Sequence, residues 1–320
     1  CLCYISQQQE YYKLLNAYLD LARHAKELKR YLPNSLIPKE NQVFGPIRNL
    51  GIMYWYELFN PRQLFALATL VKYIHDRIDN LLAKGEVGAA VVLYLALGIN
   101  RVIDYNSIAT TWKRGTIRDT IGQYARGRRI TYSEEYCEAI IPYRNLNWVF
   151  EPNKTNRITQ GGMVPVLSEL CKRVYGLEKN LRVIQGDCRF LSFIISDKID
   201  VINVDPPYFD SHIYSDISEF FWQILRIILK PLIESGYLFK EMTLDDWKPS
   251  SPEVPRKGEI IVRKGKDIQQ SQLFSEIWYT AQMAKFFKEC YKSLKNDGIL
   301  LTWFTHKSLD AWKAIINSLY

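Results

Sequence analysis

The sequence predicts an α/β fold in which a mostly parallel sheet, covered by helices, is joined to a separate helical module. Three observations predict it. Short, nearly continuous apolar runs recur in the second half, at 146–150, 181–184, 199–204 and 298–304, with helical stretches between them. Strands that are apolar on both faces belong to a parallel sheet with helices above and below. Roughly the first 150 residues carry instead the three-to-four-residue period of amphipathic helices. Two of the apolar runs are followed by an acid, Asp187 and Asp205, and ligands of an open parallel sheet bind beyond the carboxyl ends of its strands. The expected division is a helical module over 1–144 and an α/β domain over 145–320.

The helical module begins with Tyr11, Leu14, Leu15, Tyr18, Leu19 and Ala22 on one helical face, closed before Pro33 and Pro38. Asn60-Pro61 opens the next helix, Asn60 as N-cap and Pro61 at the first helical position. Leu64, Leu67, Ala68, Val71 and Ile74 carry it toward Gly85. A third helix is expected from about Val87 to Trp112. Past residue 145 the apolar runs are read as strands, and a helical pattern from about Leu273 to Leu294 precedes the last of them. Lys248 to Gln270 holds Pro249, Pro252 and Pro255 and six basic residues. It is expected to be a surface loop, too long for a simple connection.

Composition narrows the function classes. With 48% hydrophobic and 24% charged residues in 320, the chain has the balance of an ordinary globular protein. Its formal net charge of +8 favours a polyanionic partner and says nothing of fold. Six scattered cysteines without a CxxC pair fit a reducing, cytoplasmic setting better than a disulfide framework. The histidines show no metal-ligand spacing. The longest apolar run, Gly88 to Ile99, is short of the roughly 18 residues that span a bilayer, and it is read as a buried helix with no membrane partner.

Asp205-Pro206-Pro207-Tyr208 carries the clearest chemistry. An exocyclic amine on an aromatic base is a weak nucleophile because its lone pair is delocalised into the ring. Two fixed acceptors for its N–H groups, here the Asp205 carboxylate and the Pro206 carbonyl, draw the nitrogen toward sp³ and free the lone pair. Consecutive prolines fix φ and remove N–H donors, which stiffens that backbone. Tyr208 offers a face on which a flipped-out base stacks, and Phe209 extends the wall. His306 and Lys307 follow the strand 298–304 and lie at the same carboxyl edge, to line the target pocket or meet phosphate. A loop histidine with its bonds satisfied is the other reading of His306.

Asp205-Pro-Pro-Tyr208 resembles the catalytic motif of amino-methyltransferases acting on DNA adenine N6 and cytosine N4. Val201-Ile-Asn-Val-Asp-Pro-Pro-Tyr-Phe-Asp210 with Tyr214-Ser-Asp-Ile-Ser-Glu-Phe-Phe221 is similar to a prokaryotic family of large, adenine-specific DNA methylase-like proteins. Asn60-Pro-Arg-Gln-Leu64, Ala66-Leu-Ala-Thr-Leu70, Asp104-Tyr-Asn-Ser107, Gly186-Asp187 and Phe304-Thr-His-Lys307 extend the resemblance in order along the chain. The resemblance implies a Rossmann-like methyltransferase sheet with S-adenosylmethionine as methyl donor and adenine N6 in double-stranded DNA as target. It gives Asp205, Pro206, Pro207 and Tyr208 the catalytic role and makes Asp187 the acid that meets the adenine amino group of the cofactor. Glu151 and Asn153 fall where the family has a Glu-x-Asn-Pro-like element, but the proline here precedes the asparagine. A weak cofactor contact and a structural turn both stay open for Glu151.

One element of the resemblance is missing. Methyltransferases of this fold carry a Phe-x-Gly-x-Gly turn after the first strand. Gly161-Gly162 lacks the aromatic, and Phe44-Gly45-Pro46 follows no strand. The expectation is that a preceding segment or a second chain supplies it. Two basic stretches suit DNA phosphates: Trp112 to Arg129, with Lys113, Arg114, Arg118, Arg126, Arg128 and Arg129, and Lys248 to Lys266. Solvated surface is the plain alternative for both. Two rival functions stand beside adenine methylation: an RNA base methyltransferase of the guanine-N2 type, and a DNA-binding subunit of a split enzyme without its own cofactor turn.

Overall fold

The computed structural model describes residues 7–113, 116–122, 130, 136–138, 149–151, 162–184, 186–238, 248, 250–256, 258–263 and 268–320. The chain is mixed α/β and helix-rich, with a small parallel sheet. It forms two compact units, one of residues 1–178, 216–241 and 247–254, the other of 179–215, 242–246 and 255–320.

The first unit is helical. Its leading helix, Gln7–Arg23, leaves Leu15, Tyr18 and Leu19 exposed. Their neighbour Leu21 packs against the core from a partly buried position. Pro61–His75 begins as expected: the Asn60 side chain accepts from the Gln63 N–H while the Gln63 side chain accepts from the Asn60 N–H, a reciprocal cap with proline at the first position. It stops at His75 and resumes only as Ile78–Leu82, where the sequence suggests one run to Gly85. At the break, the Arg77 N–H bonds the Ile74 carbonyl, a tightened final turn.

Glu86–Asp104 ends eight residues before the expected Trp112 because polar side chains capture its last carbonyls. Asn106 Nδ2 donates to the Val102 carbonyl at 2.9 Å, and Thr120 Oγ1 donates to the Asp104 carbonyl at 2.9 Å. Such short side chains compete with the helix for its own backbone. By length and composition this helix is apolar enough to cross a membrane; Val92, Ala96, Ile99 and Val102 are buried in the protein, as in a core helix. Beyond it, β1 (Thr111–Lys113) and β2 (Thr116–Arg118) pair antiparallel.

Residues 216–234 of the helix Tyr214–Glu234 also belong to this unit. Phe220, Ile224, Ile228 and Leu232, four residues apart, form its buried stripe. The Phe220 ring stacks on Phe44 at 5.3 Å and on Phe59 at 5.9 Å. Asn41 is fully buried beneath the start of this helix. Its Nδ2 donates to the Asp216 carbonyl at 3.0 Å and to Glu219 at 2.8 Å, and its Oδ1 accepts from the Val43 and Phe44 N–H groups.

The second unit holds the parallel sheet. β3 (Ile199–Val204) and β4 (Leu294–Thr302) pair in parallel, with Val201 opposite Ile299 and Val204 opposite Thr302 and an irregularity between Ile199 and Val201. The helix Ile268–Ser293 leads directly into β4. One sheet face, with Ile202 and Leu300, packs on Tyr279, Met283, Phe286 and Phe287 of that helix and on Ala311, Ala314 and Ile315 of Leu309–Asn317. On the other face Val201, Ile299 and Leu301 are exposed, where the sequence predicts helices on both sides.

Of the four expected strands, two are seen among the described residues. Leu181–Ile184 makes no ladder, and Leu181 and Val183 are exposed. Val149 and Phe150 are helical, while 146–148 lie outside the described residues. An apolar tetrapeptide supplies β-propensity but not the partner edge that satisfies its N–H and C=O groups. The sheet seen is therefore smaller than a full Rossmann-like one.

Candidate active site

β3 delivers its last residue, Val204, to the edge of the sheet, and Asp205-Pro206-Pro207-Tyr208 follows without a break. The next strand over holds the chain alongside: the Trp303 N–H donates to the Val204 carbonyl at 2.9 Å. Asp205 is exposed, Pro206 buried, and Pro207 and Tyr208 half-buried. The Tyr208 hydroxyl donates to Asp205 Oδ1 at 2.5 Å. That bond, with a smaller contribution from burial, raises the hydroxyl above its ordinary pKa.

The two proline carbonyls differ. Pro207 accepts from the Tyr279 hydroxyl at 2.7 Å and from the Phe209 N–H at 3.0 Å. The Pro206 carbonyl accepts no hydrogen bond among the described residues. Phe209 turns the chain with φ of 53°, a left-handed backbone that a non-glycine residue holds only when its surroundings enforce it. Here they do. The Phe209 ring is buried against Tyr279 at 5.2 Å and His306 at 5.9 Å, and its carbonyl accepts from the Val262 N–H at 2.9 Å.

Aromatic side chains continue outward from Tyr208. Phe304 meets it edge to face at 5.5 Å, and Trp312 meets Phe304 the same way at 5.1 Å. Edge-to-face pairs fix ring orientation as well as burying area. A planar ring laid on Tyr208 would thus meet a wall that is already supported from behind.

His306 lies where the sequence places it, but both ring nitrogens are used internally. Nδ1 accepts from the Ser308 N–H at 3.0 Å, which leaves the proton on Nε2 to donate to Asp210 at 3.0 Å. Its side chain is 10% exposed, so it fastens the loop after β4 to the loop after β3. Lys307 is exposed.

Asp187 caps the short turn Cys188–Phe190. Arg189 donates to it from its backbone N–H, from Nε to both oxygens at 2.9 and 3.0 Å, and from Nη2 at 2.5 Å. Burial would raise this carboxyl, but these bonds and the guanidinium charge hold it below the usual range. Arg189 Nη1 is anchored in turn on Gln282 at 2.7 Å. Three Arg189 N–H groups thus engage the Asp187 carboxylate, the single Nε proton shared between its two oxygens, so most of its acceptor capacity is spent on Arg189.

Of the remaining sequence-predicted residues, Glu151 is exposed. Arg126, Arg128, Arg129, Asn153 and Gly161 lie outside the described residues. Arg263 is committed to the fold: its Nη2 donates to Ser215 Oγ at 2.5 Å and pairs with Glu259 at 3.0 Å. Among the described residues no three His, Cys, Asp or Glu side chains gather as a metal site. Sequence reasoning missed Tyr279, Arg189 and Asp210. Arg189, two residues after Asp187, was open to discovery from that spacing. Tyr279, mid-helix and far along the chain from Pro207, carries no such signal. Compared with family models, with curated proteins and with solved structures, the chain matches none.

Proposed function

We propose that this chain is an S-adenosylmethionine-dependent DNA methyltransferase acting on adenine N6, and that Asp205-Pro206-Pro207-Tyr208 holds the target base. The observation that carries the reading is the difference between the two proline carbonyls. Pro207 is saturated by Tyr279 and Phe209, while the Pro206 carbonyl and Asp205 Oδ2 are without donors among the described residues. A planar amine has two N–H groups and needs two acceptors. Asp205 takes one, the Pro206 carbonyl the other, and Tyr208 stacks on the ring. Polarised from both sides, the nitrogen recovers the lone pair that the ring had withdrawn.

The methyl donor supplies an electrophilic methyl sulfonium when bound. Arg189 already engages the Asp187 carboxylate with three N–H groups, so no contact to the donor is assigned to the described residues. That same pair favours a second reading, a target-binding subunit whose cofactor half lies in another chain.

The test is methyl transfer from tritiated S-adenosylmethionine to duplex DNA, with RNA of matched sequence as the parallel arm. Label in DNA adenine, reduced about 10²- to 10³-fold by Asp205→Ala, supports the proposal. Label in RNA alone moves the substrate to RNA. Calorimetric binding of S-adenosylmethionine separates the readings: binding favours the self-contained enzyme, and its absence together with retained DNA binding favours the subunit.

A further inference from the structure

A proline ring fixes φ, and a proline that follows confines ψ to the extended region, so of the two only Pro207 keeps a free ψ. Two consecutive prolines therefore stiffen the chain but do not by themselves decide where the Pro207 carbonyl points. Amine capture depends on that choice, since one carbonyl has to face the target and stay without a protein donor. Something outside the tetrapeptide has to set it.

Tyr279 is the group in place to do so. It stands in the helix Ile268–Ser293, is fully buried, and its hydroxyl donates to the Pro207 carbonyl at 2.7 Å. Its ring also packs edge to face on Phe209 at 5.2 Å, the residue whose left-handed φ closes the turn. One side chain thus holds the carbonyl after the second proline and the backbone that follows it. Burial pushes the Tyr279 hydroxyl up to about 12, so it is a neutral donor near neutral pH. With Pro207 held inward, Pro206 is the carbonyl left to the target.

We propose that Tyr279 is a positioning residue: by locking the Pro207 carbonyl it fixes the Pro206 carbonyl and Asp205 as the acceptor pair for an exocyclic amine. The proposal rests on the target-base reading above but is separable from turnover. Tyr279 touches no reacting atom. Its contribution is to the geometry of atoms that do.

The experiment uses the full chain grown on [1-¹³C,¹⁵N]proline. Pro206-Pro207 is the only Pro-Pro junction in the sequence, so the Pro206 carbonyl alone shows one-bond coupling to a labelled nitrogen. A single-stranded oligonucleotide carrying one adenine, and its twin with purine in that place, serve as probes. In the unmodified protein the Pro206 resonance is expected to shift with the adenine probe and not with the purine probe. In Tyr279→Phe, which keeps the ring, that response is expected to weaken at least tenfold. In methyl transfer the same variant is expected to lose about 10- to 100-fold in kcat with KM for DNA within about twofold, a split that general loosening of the fold would not give.

A Pro206 resonance indifferent to adenine, an undiminished response in Tyr279→Phe, or an unchanged kcat overturns the proposal. If the adenine response and its Tyr279 dependence are seen but no methyl group is transferred to any nucleic acid, the positioning role stands and the enzymatic reading falls.

Discussion

Replacing Asp104 by Asn tests whether the turn after the helix Glu86–Asp104 is a buried, titrating junction. The Asp104 side chain is 7% exposed. Burial, reinforced by the charge of Asp119, pushes its carboxyl from 3.8 up to about 7, against the pull of the Ile121 N–H and Arg101. The folded protein therefore holds this proton more tightly than the unfolded chain does. The stability it contributes is complete below the unfolded value of 3.8 and is lost as pH rises through about 7. A shift of about three units corresponds to about 4 kcal/mol. Asn has no proton to lose, so its junction should not weaken across that window. Because the raised value already contains the opposing pull of Arg101, the variant should be more stable than the parent by about 4 kcal/mol at pH 8. Near pH 4 the two should agree to within about 1 kcal/mol. Hydrogen exchange on peptides from 86–104, corrected for intrinsic rates and run between pH 5 and 8, reads the local opening free energy. Parallel pH profiles for the two proteins, or a variant that opens more easily at pH 8, would refute the reasoning.

Other expectations follow from the same contacts. A Cβ at Gly98 would lie 2.2 Å from Phe150 Cζ, so Gly98→Ala should cost about 1–3 kcal/mol in urea unfolding; no loss would mean the ring does not seat there. His306→Ala removes the bonds to Asp210 and Ser308 and should destabilise the second unit by about 1–3 kcal/mol. A denaturation midpoint unchanged from the parent would contradict the clamp. Tyr208→Ala should weaken binding of an adenine oligonucleotide about 10- to 100-fold while Tyr208→Phe stays close to the parent, and equal losses in both would transfer the role from ring to hydroxyl.

Residues that act through local chemistry were legible early. Asn60 caps its helix because Asn, Pro and Gln at successive spacing satisfy one another within a single turn. β3 forms over Ile199–Val204 and hands the chain to Asp205, as an apolar run ended by an acid suggests. Leu181–Ile184 has the same apolar character without the same outcome, because a strand is made by its neighbour as much as by its own side chains. Asp216 and Glu219 stood in the stretch that carried the resemblance. In the fold they meet Asn41 in the buried polar junction of the helical unit, a pairing across more than a hundred and seventy residues that no local pattern encodes.

The Asp-Pro-Pro-Tyr turn and its place after a strand were determined by sequence alone, since both depend on neighbours in the chain. So was the stiffness that two prolines impose. Which carbonyl stays free was decided only by the tertiary structure, through Tyr279 reaching Pro207 from a distant helix. Arg189 lies two residues from Asp187, but the Gln282 that anchors it also arrives only with the fold. Orientation and occupancy of polar groups depend on what approaches through space, and the chain order of this protein brings those partners from far away.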